Sequence, residues 1–176
     1  ATAFAFGARL DDNTQAGIRC QSISEQQAMG RLQDKVCIIT GAAGGQGEVA
    51  VDLFVREGAN VVASDLASEP SDAIRAVMAR EPDRVCYVGG DVTQAATLDA
   101  IVALAVERYR RIDVLFNNHG VMVGSPLLET SEAELDHVLD INVRATFLLS
   151  QRVARRMVEQ GGGGSIIHNS SVGGLV

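Results

Sequence analysis

The sequence predicts an α/β fold built on a doubly wound parallel sheet, of which the chain carries the first five strands with their intervening helices. Three observations lead there. Short apolar runs alternate with segments of helical spacing, and the runs end in turns rich in Gly, Asp, Asn or Ser. Strands that alternate with helices form βαβ units with right-handed crossovers, which cover both faces of a parallel sheet. Finally, the 176 residues are 47% hydrophobic and 21% charged, which is enough for one domain with a sizeable core.

Taken in order, residues 1–30 mix small, polar and glycine residues without sustained periodicity and are expected to form a poorly ordered extension to a domain spanning 31–176. KVCIIT (35–40) is the first strand, followed by a glycine cluster and by VAVDLFVRE (49–57) at helical spacing, which Gly58 stops. NVVAS (60–64) is the second strand, residues 69–80 a helix, and RVCYVG (84–89) the third strand. LDAIVALAVERYRR (98–111) is a helix and IDVLFN (112–117) the fourth strand. Ser131 and Glu134 have the spacing of a capping box, which opens one long helix running towards Gln160. SIIHNS (165–170) is the fifth strand. Met122 and Phe147 read as packing residues, His137 as a solvated helix residue and His168 as a satisfied core histidine.

Charge narrows the partners. The formal net charge is −7, which argues against nucleic acid or an anionic membrane surface, since both call for basic patches. No apolar run reaches the length of a membrane span, and the opening ATAFAFGARL has neither a basic start nor an apolar stretch long enough for a secretory signal. Cys20, Cys37 and Cys86 are odd in number and lack a C-x-x-C spacing, so they point to a reducing, cytoplasmic setting and to no metal site. Cys37 and Cys86 read as small apolar residues inside strands.

In such a sheet ligands bind beyond the carboxyl ends of the strands, where the strand order reverses. TGAAGGQG (40–47) stands at the end of the first strand. Gly41 permits the tight turn, Gly45 lets backbone approach a pyrophosphate, and Gly47 lets the helix pack closely on the sheet. The second strand ends in Asp65, eighteen residues after Gly47. A carboxylate there can accept hydrogen bonds from the adenosine ribose hydroxyls and repels a 2′-phosphate. Asn117 and Asn118 read as site residues ahead of the plainer alternative, a strand end in an Asx turn.

With these motifs in this order, residues 31–176 resemble the short-chain dehydrogenases/reductases, whose fold is Rossmann-like. Thr40, Gly41, Gly45 and Gly47 match T-G-x-x-x-G-x-G; Asp91-Val92 is similar to the family's Asp-Val pair; NNHG (117–120) is similar to Asn-Asn-Ala-Gly. Asn142 in DINVRATF stands where the family places a catalytic asparagine, and Ser171 in SSVGG where it places a catalytic serine. The resemblance implies NAD as cofactor. Its pyrophosphate would be held by the amides around Gly45, Gln46 and Gly47, its ribose by Asp65, its adenine by Asp91 and Val92, and its adenosine side lined by Asn118 and Gly120. It implies an oxidoreductase that moves a hydride between NAD(H) and a small alcohol or carbonyl compound, with Ser171 binding the reacting oxygen and Asn142 holding the helix and a water of the proton relay. It also implies a homo-oligomer for the full-length protein.

The sequence departs from the pattern in places. His119 stands where alanine is usual, and its ring either crowds the cofactor or stacks beside it; Asn169 holds a position that is usually apolar. The family's Tyr-x-x-x-Lys lies about a dozen residues beyond the serine, and neither Tyr87 nor Tyr109 is followed by Lys at that spacing. MGRLQDKV (29–36) resembles a usual start for the family. The expectation is therefore the cofactor-binding part of a longer enzyme. The alternative is a non-catalytic dinucleotide-binding remnant or regulatory protein; a methyltransferase on a similar sheet ranks below both, because Thr40 stands where those enzymes carry an acidic residue. Purified residues 1–176 should reduce NAD no faster than background with any alcohol, since loss of a general acid/base alone costs about 10²–10⁴-fold. Robust turnover by that polypeptide would show that another residue carries the proton.

Overall fold

The structure, a computed structural model, describes residues 30–171. The expected N-terminal extension, apart from Gly30, lies outside the described residues. The first two strands, β1 (Val36–Thr40) and β2 (Asn60–Asp65), flank helix α1 (Gly45–Arg56). Helix α2 (Asp72–Arg80), β3 (Val85–Gly89), α3 (Ala95–Tyr109) and β4 (Val114–Asn117) follow. The chain then forms α4 (Glu132–Leu139), a π-helical turn (Asp140–Ala145), α5 (Thr146–Gln160) and β5 (Ser165–His168). All strand pairings are parallel and the strand order is β3-β2-β1-β4-β5.

Period-two alternation distributes the core between the two faces. In β1, Val36 and Ile38 face one layer with Leu98, Ile101 and Ala105 of α3 and Leu149, Val153 and Met157 of α5. Cys37 and Ile39 face the other with Val51 and Val55 of α1 and Ile74 and Val77 of α2. Every residue of β1 is buried, as a central strand covered on both faces requires. Cys37 and Cys86 are buried free thiols, and burial, reinforced by the nearby Asp113 charge, pushes the Cys37 thiol up to about 12. Cys37 therefore packs as a small apolar residue and is no nucleophile.

The helix ends follow local chemistry. Ser71 accepts a hydrogen bond from the Ile74 amide at the start of α2, and Ser131 with Glu134 forms the expected capping box on α4. α1 begins four residues before its apolar pattern, because Gly45, Gln46 and Gly47 form its first turn. The long helix expected after Ser131 is interrupted by the π-helical turn that contains Asn142. Apolar spacing through this region is compatible with an unbroken α-helix, and the extra residue in the turn leaves no mark on it. The fifth strand stops at His168, two residues short of the expected end.

The amino ends of the strands are closed by polar side chains. Asp113 is buried; its Oδ2 accepts the Val36 amide at 2.9 Å, and Arg111 binds it through two nitrogens, the closer at 2.6 Å. The Gln160 amide at the end of α5 pairs with both the N–H and the carbonyl of Ile112. Three side-chain readings change. His168 lies exposed on the edge strand, because no strand covers its outer side among the described residues. Met122 and Phe147 are also exposed, and Phe147 continues a stripe formed by Leu135, Leu139 and Val143 along α4 and the π-helical turn. Their apolar character set the sequence expectation, but no element of the described chain lies over them.

Asp113→Ala would orphan the buried Val36 amide and is expected to lower unfolding stability by about 1–3 kcal/mol. Urea denaturation reads this as a lower midpoint with an unchanged slope. An unchanged midpoint would mean that another group satisfies Val36.

Candidate functional site

The chain runs outward from β1 to β2 and β3, then returns to β4 on the other side of β1. The strand order therefore reverses between β1 and β4, and a cleft of about 420 Å³ opens beyond their carboxyl ends. Gly41, Gly45, Gln46, Asp65, Asp91, Val92, Asn118 and Gly120 all line it. Of the other residues singled out in the sequence, Gly47 lies buried beneath the loop, and Asn142 acts on the lining through Val121. Ser171 is exposed, two residues beyond the lining residue Asn169.

The glycine loop owes its shape to close backbone approach. Gly41 has φ +61°, and a Cβ there would lie 2.9 Å from the Asn118 carbonyl oxygen. A Cβ on Gly47 would lie 2.0 Å from the Gly41 oxygen, so no side chain fits between α1 and the loop. A Cβ on Gly45 meets nothing within 4 Å, which leaves room for a ligand against the first turn of α1. That helix starts from Gly44 with no side-chain cap, so its first amides are left to a ligand or solvent. Asp65 Oδ2 accepts the Ala43 amide at 2.9 Å, which ties the end of β2 to the loop. Asp91 Oδ1 accepts the Thr93 amide at 2.8 Å and fixes the turn after β3.

The segment after β4 is held from two sides. Thr40 Oγ1 accepts the amides of Asn118 at 3.2 Å and His119 at 3.4 Å, and Asn118 Nδ2 donates to the Gly41 carbonyl at 3.1 Å. From the π-helical turn, Asn142 accepts the Val121 amide through Oδ1 and donates from Nδ2 to the Val121 carbonyl, each at 2.8 Å. The imidazole of His119 neither leaves the cleft nor stands free in it: its Nδ1 is 2.6 Å from Thr40 Oγ1 and its Nε2 3.2 Å from Thr146 Oγ1. Burial lowers its pKa from the ordinary value, with the neighbouring His168 adding to the effect against a hydrogen bond to the Ile141 backbone. Asn169 Nδ2 reaches Gln46 Oε1 at 2.8 Å and Asn118 Oδ1 at 2.9 Å, spanning from β5 to α1. The sequence reading missed Val121 and Ile141 as lining residues and gave no partner for Asn169. Isolated apolar residues in a loop and a helix carry no local signal of a cleft.

Together these features describe a dinucleotide-type cleft at a topological switch point. Comparison with known proteins places the chain: residues 35–176 match the model of the short chain dehydrogenase family, and the chain belongs to that family. It is 37% identical over 145 residues to the 3-oxoacyl-[acyl-carrier-protein] reductase FabG of Thermotoga maritima, covering 82% of this chain and 58% of that protein. It is 38% identical over 144 residues to the sorbitol dehydrogenase of Cereibacter sphaeroides, covering 82% of this chain and 55% of that protein. The chain thus spans little more than half the length of these relatives. Among solved structures, a short chain dehydrogenase from Leptospira borgpetersenii with bound NAD+ superposes with a TM-score of 0.71 at 28% identity, over 81% of this chain and 54% of that one.

Asn142→Ala should free both backbone groups of Val121, and its amide should exchange with solvent more readily by about 1–3 kcal/mol of local opening free energy. Hydrogen–deuterium exchange resolves this. Unchanged protection at Val121 would show that the loop holds itself.

Proposed function

We propose that the protein is an NAD-dependent oxidoreductase and that residues 31–176 form its dinucleotide-binding domain. The observation that carries this reading is the pairing of Asp65 with the uncapped start of α1 across one cleft at the switch point. The open space at Gly45 and the amides of Gly45, Gln46 and Gly47 suit a pyrophosphate; Gly41 and Gly47 make that approach possible. Asp65 suits ribose hydroxyls, Asp91 and Val92 suit adenine, and Asn118 and Gly120 the adenosine side. Bound NAD would supply the hydride acceptor. This chain's own residues would bind and orient: Ser171 the oxygen of an alcohol or carbonyl substrate, and Asn142 the Val121 segment and a relay water.

The assignment of NAD over NADP rests on charge. Asp65 lines the cleft, and Leu66, Ala67 and Ser68 after it bring no cation to a 2′-phosphate. The buried free thiols of Cys37 and Cys86 support a reducing, cytoplasmic setting, and no helix among the described residues is long and apolar enough to cross a membrane. The exposed stripe of Leu135, Leu139, Val143 and Phe147 supports a homo-oligomer.

Asp65→Asn tests the cofactor directly. The substitution removes the charge and retains an oxygen able to accept the Ala43 amide, so the loop should keep its shape. NADP affinity should rise relative to NAD, narrowing the ratio by about tenfold. Equal affinities for the two dinucleotides in the unsubstituted full-length protein would overturn the assignment.

A further inference from the structure

We propose that His119 is a positioning residue of the dinucleotide site: a neutral imidazole, protonated on Nε2, that locks the end of β1 and the start of α5 onto the backbone lining the cleft. The proposal rests on the dinucleotide reading above. It begins with Thr40, whose side chain is completely buried. The Thr40 oxygen already accepts the Asn118 and His119 amides, at 3.2 and 3.4 Å, so both lone pairs are used. Its hydroxyl proton needs an acceptor, because a buried unpaired hydroxyl is costly. His119 Nδ1, at 2.6 Å, is placed to accept it.

Nδ1 must therefore be bare, and a neutral imidazole then carries its proton on Nε2. That nitrogen is placed to donate to Thr146 Oγ1, at 3.2 Å. The opposite tautomer would direct a third donor at the Thr40 oxygen and leave the Thr40 proton without a partner. The imidazolium would do the same and would also place a charge in a half-buried position.

One ring thus joins three elements at the point where the strand order reverses. Thr40 ends β1, His119 follows β4, and Ile141 with Thr146 belongs to the π-helical turn and the start of α5. The backbone between these anchors, Asn118 to Val121, lines the cleft. The ring therefore sets where that lining stands before a dinucleotide arrives, and the energy of ordering it is not drawn from binding.

Two measurements on the full-length protein test this. Without ligand, ¹⁵N-resolved NMR of the imidazoles should show His119 as the Nε2–H tautomer near neutral pH. By calorimetry, His119→Ala should raise the Kd for NAD about tenfold. Thr146→Val should raise it less, and the double variant should be no worse than His119→Ala alone, because the two share one contact. His119→Asn, which places an acceptor towards Thr40, should recover part of the loss. An Nδ1–H tautomer, or additive effects of the two substitutions, would overturn this proposal alone. Failure of the unsubstituted protein to bind any dinucleotide would overturn the cofactor reading and this role with it, and the tautomer, read without ligand, separates the two failures.

Discussion

The site depends on one steric constraint, the convergence of three backbones at the carboxyl ends of β1 and β4. Gly41 meets the Asn118–His119 backbone, and Gly47 brings the first turn of α1 against the Gly41 carbonyl. Both contacts are too short for any Cβ, and the opposing atoms are main chain that cannot rotate aside. Once the backbones are this close, short polar bonds become possible: Thr40 reaches the amides after β4, and Asn118 reaches back to Gly41. Each bond then removes a freedom that a ligand would otherwise have to freeze. The glycines supply the proximity, and the Thr40 and Asn118 side chains convert it into a fixed geometry.

The two ends of the sheet differ in how fully side chains satisfy the backbone. At the amino ends the protein satisfies itself: Asp113 takes the Val36 amide and the Arg111 guanidinium, and Gln160 takes both backbone groups of Ile112. At the carboxyl ends it does so only in part. α2 and α4 are capped by serines, whereas α1 and α3 begin at Gly44 and Gln94 with no side-chain cap. Because the strands are parallel, the turns into these helices all lie at one end of the sheet. The uncapped starts of α1 and α3 therefore lie at the cleft end of the sheet.

What the sequence made legible was what local pattern controls. Apolar runs and helical spacing set five strands and their order along the chain. The turn off β1 had to be glycine, so the positions of the loop and of Asp65 at the strand ends follow from the residues alone. What was not legible depends on which distant side chains meet. That Asn142 holds both the N–H and the carbonyl of Val121 cannot be read from DINVRATF, since the partner is 21 residues away on a loop without a pattern. The ring of His119 was open between crowding and stacking because its partners, Thr40 and Thr146, come from β1 and α5, 79 and 27 residues away. Phe147 failed as a packing residue for a related reason: an apolar side chain states a preference for burial, and only topology decides whether something covers it.

The π-helical turn gives the last link between fold and site. A regular α-helix through Asp140–Ala145 would space its side chains as the sequence pattern suggests, yet the wider turn is where two grips on the cleft lining originate. Asn142 takes Val121, and the Ile141 backbone faces the His119 ring. The segment from Asn118 to Val121 is thus held by β1 at one end and by the turn at the other, all through partly or fully buried groups. Asn169 differs: its bonds to Gln46 and Asn118 come from a side chain that is exposed among the described residues. Among the described residues the cleft lining is therefore held by buried and half-buried groups on the β1 and π-helical-turn sides and by exposed ones at Asn169.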